Sequence, residues 1–164
     1  MMIKLEHYKK DEKLYLERYK EYLRYLNSLT NHIKVLSDED ILYYSSLPDK
    51  DIFLVYNEDD PIGIVILGHG LENCFSRHDV YIQDFYIFPE YQRTGLGYEV
   101  LKVITRHYSD KDFSLMIIRN NYPALNFWDK VFERIGYSER MAAADMIALS
   151  DDFYFKYYVK MGLK

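Results

Sequence analysis

The sequence predicts a single α/β domain of the α+β kind, with helices packed on a sheet of short strands. Three observations predict it. Amphipathic helical stretches alternate with apolar strands along all 164 residues, and no repeat or Pro/Gly-rich linker divides the chain. Residues 113–118 form an apolar run of the kind found in the centre of a sheet. Residues 79–108 contain a strand, a glycine loop and an amphipathic helix in direct succession.

The N-terminal half predicts one strand, two helices and a hairpin. From Asp11 onwards, apolar residues recur with helical spacing after a short initial strand. The apolar stripe of this helix consists of Tyr15, Tyr19, Tyr22, Leu23 and Leu26. Ser37 opens a sequence similar to a capping box, which predicts a second helix through about Ser45. Two strands within residues 51–67 form a hairpin, and Gly68 breaks the second of them.

The C-terminal half predicts three more strands and two helices around the apolar run. A strand over about 79–88 precedes the glycine loop. The helix after that loop has its apolar stripe at Val100, Leu101, Ile104 and Tyr108. Asn121 is predicted to cap the last helix and Gly136 to end it. Two strands within residues 137–159, joined by a turn at 150–152, complete the sheet.

Composition excludes several classes of function. Lys and Arg number 21 and Asp and Glu 26, and this net charge of −5 argues against a nucleic-acid partner. Cys74 is the single cysteine, which excludes an intrachain disulfide, and the five histidines lack metal-ligand spacing, so we expect no metal. No stretch is apolar enough for a membrane span or a signal peptide. We therefore expect a cytoplasmic protein without a membrane partner.

Eighteen tyrosines are an unusual number for this length. One interpretation is a platform on which nucleic-acid bases stack. The tyrosines are, however, spread over the whole chain and accompany a negative charge. Packing at the edges of the core explains them better, together with a possible homodimer interface.

The most informative segment is the glycine loop that follows Pro89. Such a loop aligns backbone N–H groups at a helix start, which forms an anion site, and Gly95 and Gly97 let a phosphate approach the main chain. The alternative is a tight turn without a ligand. The sequence Gln92-Arg-Thr-Gly-Leu-Gly97 resembles the Q/R-x-x-G-x-G/A signature of the GNAT superfamily of N-acetyltransferases. The signature strand, loop and helix occupy about residues 80–108.

This resemblance implies one domain over residues 1–164, built on a mixed, mostly antiparallel sheet. The sheet is expected to splay at its central parallel strand pair and to carry helices on both faces. The resemblance also implies acetyl-CoA as co-substrate. It assigns the pantetheine arm and acetyl carbonyl to the backbone of Tyr86, Ile87 and Phe88, and the pyrophosphate to Gln92, Arg93, Thr94, Gly95, Leu96 and Gly97. A second family motif, N-x-x-A-x-x-F/L-Y, is similar to residues 121–128 and places Asn121, Phe127 and Trp128 near the cofactor.

The implied reaction is acetyl transfer to a primary amine of a small-molecule or peptide acceptor, by direct attack in a ternary complex. Asp84 is the only carboxylate in the signature strand and is the candidate general base, with Gln83 as the competing polar group. Strict alternation puts neighbouring residues on opposite faces, and a bulge would exchange them. His69 is a second possible base.

Trp128 departs from the family pattern, because many members have at this position a tyrosine that protonates the leaving thiolate. An indole N–H is far too weak an acid for that role. The alternative function is therefore an acyl-CoA-binding domain that acts as a sensor or interaction module without catalysis.

Overall fold

The computed structural model describes residues 1–70, 74, 76, 78–140 and 152–162. A seven-stranded sheet has the order β1-β2-β3-β4-β5-β7-β6. The elements are β1 Ile3–His7, α1 Glu12–Leu29, α2 Asp38–Ser45, β2 Lys50–Asn57, β3 Asp60–Gly68, β4 Asp79–Ile87, α3 Leu96–His107, β5 Asp112–Ile118, α4 Tyr122–Ile135, β6 Tyr137–Arg140 and β7 Phe153–Lys160. This order confirms the predicted succession of strands and helices. The turn predicted at 150–152 lies mostly outside the described residues.

Side chains cap the N-termini of the first two helices, as predicted for Ser37. The Asp11 carboxylate accepts a hydrogen bond from the backbone N–H of Leu14 at 3.1 Å, and the Ser37 hydroxyl accepts one from that of Asp40 at 3.2 Å. Asn121 precedes α4 as predicted, but its side chain does not cap the helix. Its Oδ1 instead accepts a hydrogen bond from the Tyr25 hydroxyl on α1 at 3.1 Å. The prediction of a side-chain cap at Asn121 was therefore wrong.

Helices cover both faces of the sheet, each over its own core. One core joins β4 and β5 to α3 and α4, with Val100, Leu101 and Phe132 at its centre. The other joins β2, β3 and β4 to α1 and α2, with Tyr15 fully buried in it. Burial of these two apolar layers is the main stabilising contribution. No helix in the described part of the chain is both long and apolar enough to cross a membrane.

The central parallel pair of strands separates along its length. β4 pairs with β5 only over residues 79–82, which lie opposite residues 112–115. Beyond this register β4 keeps its antiparallel partner β3, and β5 keeps its antiparallel partner β7. The sheet is thus mixed, mostly antiparallel and splayed at its centre, as the sequence predicts.

A β-bulge in β4 decides which side chains face each core. Ile66 lies opposite Asp84 while the next residue of β3 lies opposite Ile82, which leaves Gln83 as the extra residue. Val80 and Ile82 accordingly belong to the core under α3 and α4, whereas the Asp84 side chain turns towards α1. Strict alternation would have put Asp84 on the same face as Ile82, so the bulge is what directs this carboxylate.

Candidate active site

A cleft of about 1450 Å³ opens where β4 and β5 separate. Its walls come from α1, the diverging halves of β4 and β5, the glycine loop and α4. The cleft thus passes from one face of the sheet to the other. A volume of this size exceeds the usual range for a small-molecule site and can hold two ligands together.

The glycine loop forms one end of the cleft. Gly95 has φ of +83° and precedes the first residue of α3, while Arg93 has φ of +63°. A Cβ atom on Gly97 would lie 2.9 Å from Cε2 of Phe127, so only glycine allows α4 to pack so closely here. The first hydrogen bond of α3 joins the Glu99 N–H to the Gly95 carbonyl, and the preceding N–H groups have no partner within the helix. This backbone fits an anionic ligand.

Cationic side chains strengthen that preference for an anion. Arg93, Lys130 and Arg134 line the cleft, and the Arg134 guanidinium lies 3.8 Å from the ring centroid of Tyr98 in the first turn of α3. Helix start and cations therefore act on the same end of the cleft. The arrangement suits phosphate groups, and the residues present fit the pyrophosphate of acetyl-CoA.

Two loop side chains make hydrogen bonds within the protein. Gln92 Nε2 donates to the carbonyl oxygen of Ile87 at 2.8 Å, which ties the loop to the end of β4. The Thr94 hydroxyl donates to the carbonyl oxygen of Tyr91. The hydroxyl proton of Thr94 is therefore already used within the protein, although the resemblance assigned Thr94 to the pyrophosphate.

The end of β4 also has one residue whose main chain is fully paired. The Phe88 N–H donates to Ile62 and its carbonyl accepts from Tyr91, each at 2.8 Å. Because an antiparallel strand alternates the direction of its main-chain groups, the N–H of Ile87 points instead into the gap between β4 and β5, while its carbonyl oxygen accepts the bond from Gln92. Ile87 is therefore better placed than Phe88 to contact a ligand in the gap.

The structure brings most of the predicted site residues to the cleft. Those that line it are Asp84, Tyr86, Ile87, Gln92, Arg93, Gly95, Gly97, Asn121, Phe127 and Trp128. Phe88, Thr94 and Leu96 are not among the described lining residues, and the Leu96 side chain is buried in the core under α3. The assignment of individual residues to acetyl-CoA stays a prediction.

Asp84 lies in the wall of the cleft nearest to α1. Its side chain is only 8% exposed and accepts a hydrogen bond from the Tyr19 hydroxyl at 2.9 Å. Gln83 Nε2 donates to the same oxygen at 3.4 Å. Burial raises the pKa of Asp84 to about 6, although both hydrogen bonds and the charge of Lys50 lower it. A carboxyl group with this pKa can accept a proton and release it near neutral pH.

Tyr19 is a residue of the candidate site that the sequence prediction missed. Its helical spacing placed it in the apolar stripe of α1, where its ring indeed packs against Tyr15 at a centroid distance of 5.6 Å. Burial also raises the pKa of the Tyr19 phenol well above its ordinary value, so the hydroxyl remains a donor to Asp84. No local signal in the sequence pairs it with Asp84, because the two residues lie in distant elements.

Trp128 and His69 have different surroundings. The Trp128 indole is 6% exposed and packs edge-on against Phe85 of β4 at 5.0 Å between ring centroids. His69 Nε2 lies 2.7 Å from Oδ2 of Asp51, and His69 is not among the described residues that line the cleft. His69 thus lies outside the described lining of the cleft that contains Asp84.

The splayed sheet, the glycine loop at a helix start and the cleft between them are the architecture of an N-acetyltransferase domain. The sequence model of the Acetyltransferase (GNAT) family matches residues 10–133, more than half of the 164 residues. The chain belongs to this family, which confirms the resemblance seen in the glycine-loop segment. No curated protein matches the sequence significantly.

Solved structures share the fold at low sequence identity. An acetyltransferase from Thermus thermophilus is 15% identical with a TM-score of 0.65, and the match covers 96% of each chain. The N-acetyltransferase PseH from Campylobacter jejuni, in complex with acetyl coenzyme A, is 16% identical with a TM-score of 0.60 over 98% of this chain and 100% of that one. The PaiA N-acetyltransferase from Thermoplasma acidophilum, in complex with coenzyme A, is 16% identical with a TM-score of 0.57 over 98% and 99%.

Proposed function

We propose that the protein transfers an acetyl group from acetyl-CoA to a primary amine by direct attack in a ternary complex. One observation carries the proposal: a single cleft joins an anion-binding helix start to a buried carboxylate whose pKa is about 6. PseH and PaiA, which share this fold, were crystallised with acetyl coenzyme A and coenzyme A. These structures support acetyl-CoA as the donor.

The glycine loop holds the donor chiefly through its main chain. The N–H groups from Gly95 to Tyr98 bind the pyrophosphate, and Arg93 and Arg134 add charge at the mouth of the cleft. The main-chain N–H of Ile87 binds the pantetheine arm, in the manner of an added strand. These contacts fix the thioester beside the bulge of β4, where orientation itself accelerates the reaction.

Asp84 prepares the acceptor for attack. An ammonium group that enters from the α1 side gives one proton to the Asp84 carboxylate, which leaves the neutral amine that the reaction needs. The hydrogen bond from Tyr19 holds this carboxylate in place and stabilises its charged form. Water then takes the proton from Asp84, so the carboxylate is restored for the next turnover.

The amine nitrogen attacks the carbonyl carbon of the thioester. As the N–C bond forms, the C–S bond breaks and its electron pair leaves on the sulfur of CoA. The nitrogen loses its second proton to water, and the thiolate takes a proton from water, so that the amide and CoA thiol are the products. Trp128 cannot supply that proton, but a thiol of pKa about 8.5 is a fair leaving group without help.

The second candidate function is binding of acyl-CoA without turnover, as a sensor or interaction module. Trp128 favours it, because the cleft wall has an indole where many family members have an acidic hydroxyl. The raised pKa of Asp84 favours catalysis instead, since a buried carboxylate is costly where it has no chemical use.

Two measurements separate these functions. Calorimetry should show acetyl-CoA binding, and Gly95→Val should weaken it by about 10-fold or more, because a branched side chain is strained at a φ of +83° and blocks the phosphate. Gly162→Val is the matched control, since Gly162 has φ of +80° and is exposed outside the cleft. Release of CoA thiol that depends on an added amine would support transfer. Binding without such release would support the sensor.

A further inference from the structure

The charges of the cleft are divided between its two ends. The described cationic residues that line it, Arg93, Lys130 and Arg134, come from the glycine loop and α4. The described acidic lining residues are Glu21 and Asp84, on the side of α1. The anionic donor therefore has its counter-charges at one end, and the acceptor amine has carboxylates at the other.

Of these two carboxylates, Asp84 is the one suited to receive the amine. Glu21 Oε2 is already 3.2 Å from the Arg18 guanidinium and forms an ion pair with it. Asp84 has only neutral hydrogen-bond donors in contact among the described residues, from Tyr19 and Gln83. Within the described lining, the acceptor end thus offers one carboxylate without a bound cation, which matches an acceptor with one ammonium group.

Apart from Gln83, most of the described side chains in the rest of the acceptor end are aromatic or aliphatic. Met116 and Ile118 lie on the α1 face of β5, because the residues that alternate with them, Leu115 and Ile117, belong to the opposite core. The apolar wall consists of Tyr22, Leu26, Ile33, Tyr81, Met116 and Phe153. Such a wall favours the binding of an apolar body, and its tyrosine rings favour an ammonium group placed over them.

We infer that the acceptor is a primary monoamine on an alkyl or arylalkyl body, a conclusion that rests on the proposed acetyl transfer. The single ammonium group lies against Asp84 and the apolar body lies on the wall of α1 and β5. A polyamine would bury a second ammonium group against apolar side chains, and a sugar amine would bury hydroxyl groups there. Both are costly without matching polar partners.

The test is turnover of a panel of amines by the full chain at fixed acetyl-CoA. The panel comprises ethylamine, hexylamine, 2-phenylethylamine, spermidine, glucosamine and a tripeptide with a free N-terminus. We expect kcat/KM for hexylamine and 2-phenylethylamine to exceed that for ethylamine and spermidine by about 10-fold or more. Preference for spermidine, glucosamine or the tripeptide, or equal values throughout, would overturn the inference.

A designed charge checks where the amine's body lies. Met116 is 37% exposed, so Met116→Glu adds a carboxylate to the wall without burying it fully. We expect the ratio of kcat/KM for 2-phenylethylamine to that for spermidine to fall about 10-fold or more. Met116→Gln, which has similar size and no charge, should change this ratio little. Tyr43→Glu, at a 62% exposed residue of α2 outside the cleft lining, is the control for added surface charge.

Each outcome has a separate meaning for the two proposals. Turnover of some amines with another preference contradicts the monoamine acceptor and leaves acetyl transfer intact. Acetyl-CoA binding with no amine-dependent release of CoA contradicts transfer, and the monoamine inference fails with it. An unchanged ratio in Met116→Glu would show that the acceptor does not use this wall.

Discussion

The two ends of the β4–β5 pair each contain a buried aspartate, but the hydrogen-bond donors around the two carboxyl groups differ. At the paired end, Asp79 is 5% exposed and accepts hydrogen bonds from the backbone N–H and the hydroxyl of Ser76, and from the Ser114 hydroxyl. At the splayed end, Asp84 is 8% exposed and relies on Tyr19 and a long bond from Gln83. The two carboxyl groups lie on one strand at similar depth.

The difference shows how strand pairing distinguishes a carboxylate held by several hydrogen bonds from one whose pKa is raised by burial. Where β5 pairs with β4, it brings Ser114 against Asp79, and the resulting network fastens the two strands. Where β5 has moved away, Asp84 meets a cleft instead of a partner strand, and burial raises its pKa to about 6. Loss of a strand neighbour thus creates both a cleft and, beside it, a carboxyl group with a raised pKa.

The largest expected effect comes from neutralising Asp84, the proposed general base. Asp84→Asn should lower kcat/KM for the best amine by about 10²–10⁴ and leave acetyl-CoA affinity unchanged. The wild-type kcat/KM should fall as pH drops through about 6, because Asp84 then becomes protonated, and the variant should lack this acidic limb. Asp79→Asn is the matched control at the paired end, and an equal loss there would remove the distinction between the two ends.

Removal of the large ring at the splayed end should have the next largest effect. Trp128→Ala should lower the free energy of unfolding by about 3–5 kcal/mol, because the buried indole supports Phe85 where the strands diverge. It should also weaken acetyl-CoA binding in calorimetry. Phe113→Leu removes part of a fully buried ring from the paired region and should cost stability without changing that affinity. Trp128→Ala with unchanged affinity would exclude the indole from the donor site.

Replacing either aspartate with asparagine should also change the free energy of unfolding, with opposite signs for the two residues. The folded-state pKa of Asp84 is raised from 3.8 to about 6, so its contribution to stability is present below pH 4 and is lost as pH rises through about 6. At pH 8, Asp84→Asn should therefore raise the free energy of unfolding by about 1–3 kcal/mol. Asp79→Asn should lower it by a similar amount, because its donors lose a charged acceptor. Urea denaturation at pH 4 and pH 8 measures the free energy of unfolding of both variants. A change of the same sign in the two variants at pH 8 would contradict the comparison.

The smallest expected effect concerns the hydrogen bond that fixes Asp84. Tyr19→Phe removes a donor that lowers the pKa of Asp84, so the acidic limb of kcat/KM should move to higher pH. Tyr15 lies on the same helix as Tyr19, and its buried hydroxyl is hydrogen-bonded to Ser45 of α2. Tyr15→Phe should therefore leave the acidic limb of kcat/KM in place. The pH profiles of the two variants decide whether Tyr19 acts through Asp84, and coincident profiles would assign it to packing alone.

Local patterns were sufficient to predict the order of elements. The period of apolar residues in α1 and the left-handed C-cap at Gly136 depend on neighbours within a few residues, and both are present in the structure. The glycine loop was equally readable, because Gly95 and Gly97 meet requirements that no other residue type meets as well.

Features that depend on distant residues could not be predicted. The bulge at Gln83 arises from the register between β3 and β4, and that register has no local signature. Asn121 has a cap-like sequence, yet its side chain bonds to Tyr25, which is 96 residues away. The insertion of β7 between β5 and β6 is likewise a property of the assembled sheet. Asp84 was predicted as a candidate because it is a carboxylate in the middle of a strand, although β4 also begins with the buried Asp79. The hydrogen bond between Asp84 and Tyr19 was not predicted.

The short register between β4 and β5 also has a mechanical consequence. The sheet consists of two parts, one formed by β1 to β4 and the other by β5, β7 and β6. Only the four residue pairs between β4 and β5 join these two parts, and we call them the seam. The width of the gap beyond the seam depends on the angle between these two parts of the sheet. Lengthening or shortening the seam by one pair would therefore change the reach of the cleft without replacing any residue that lines it.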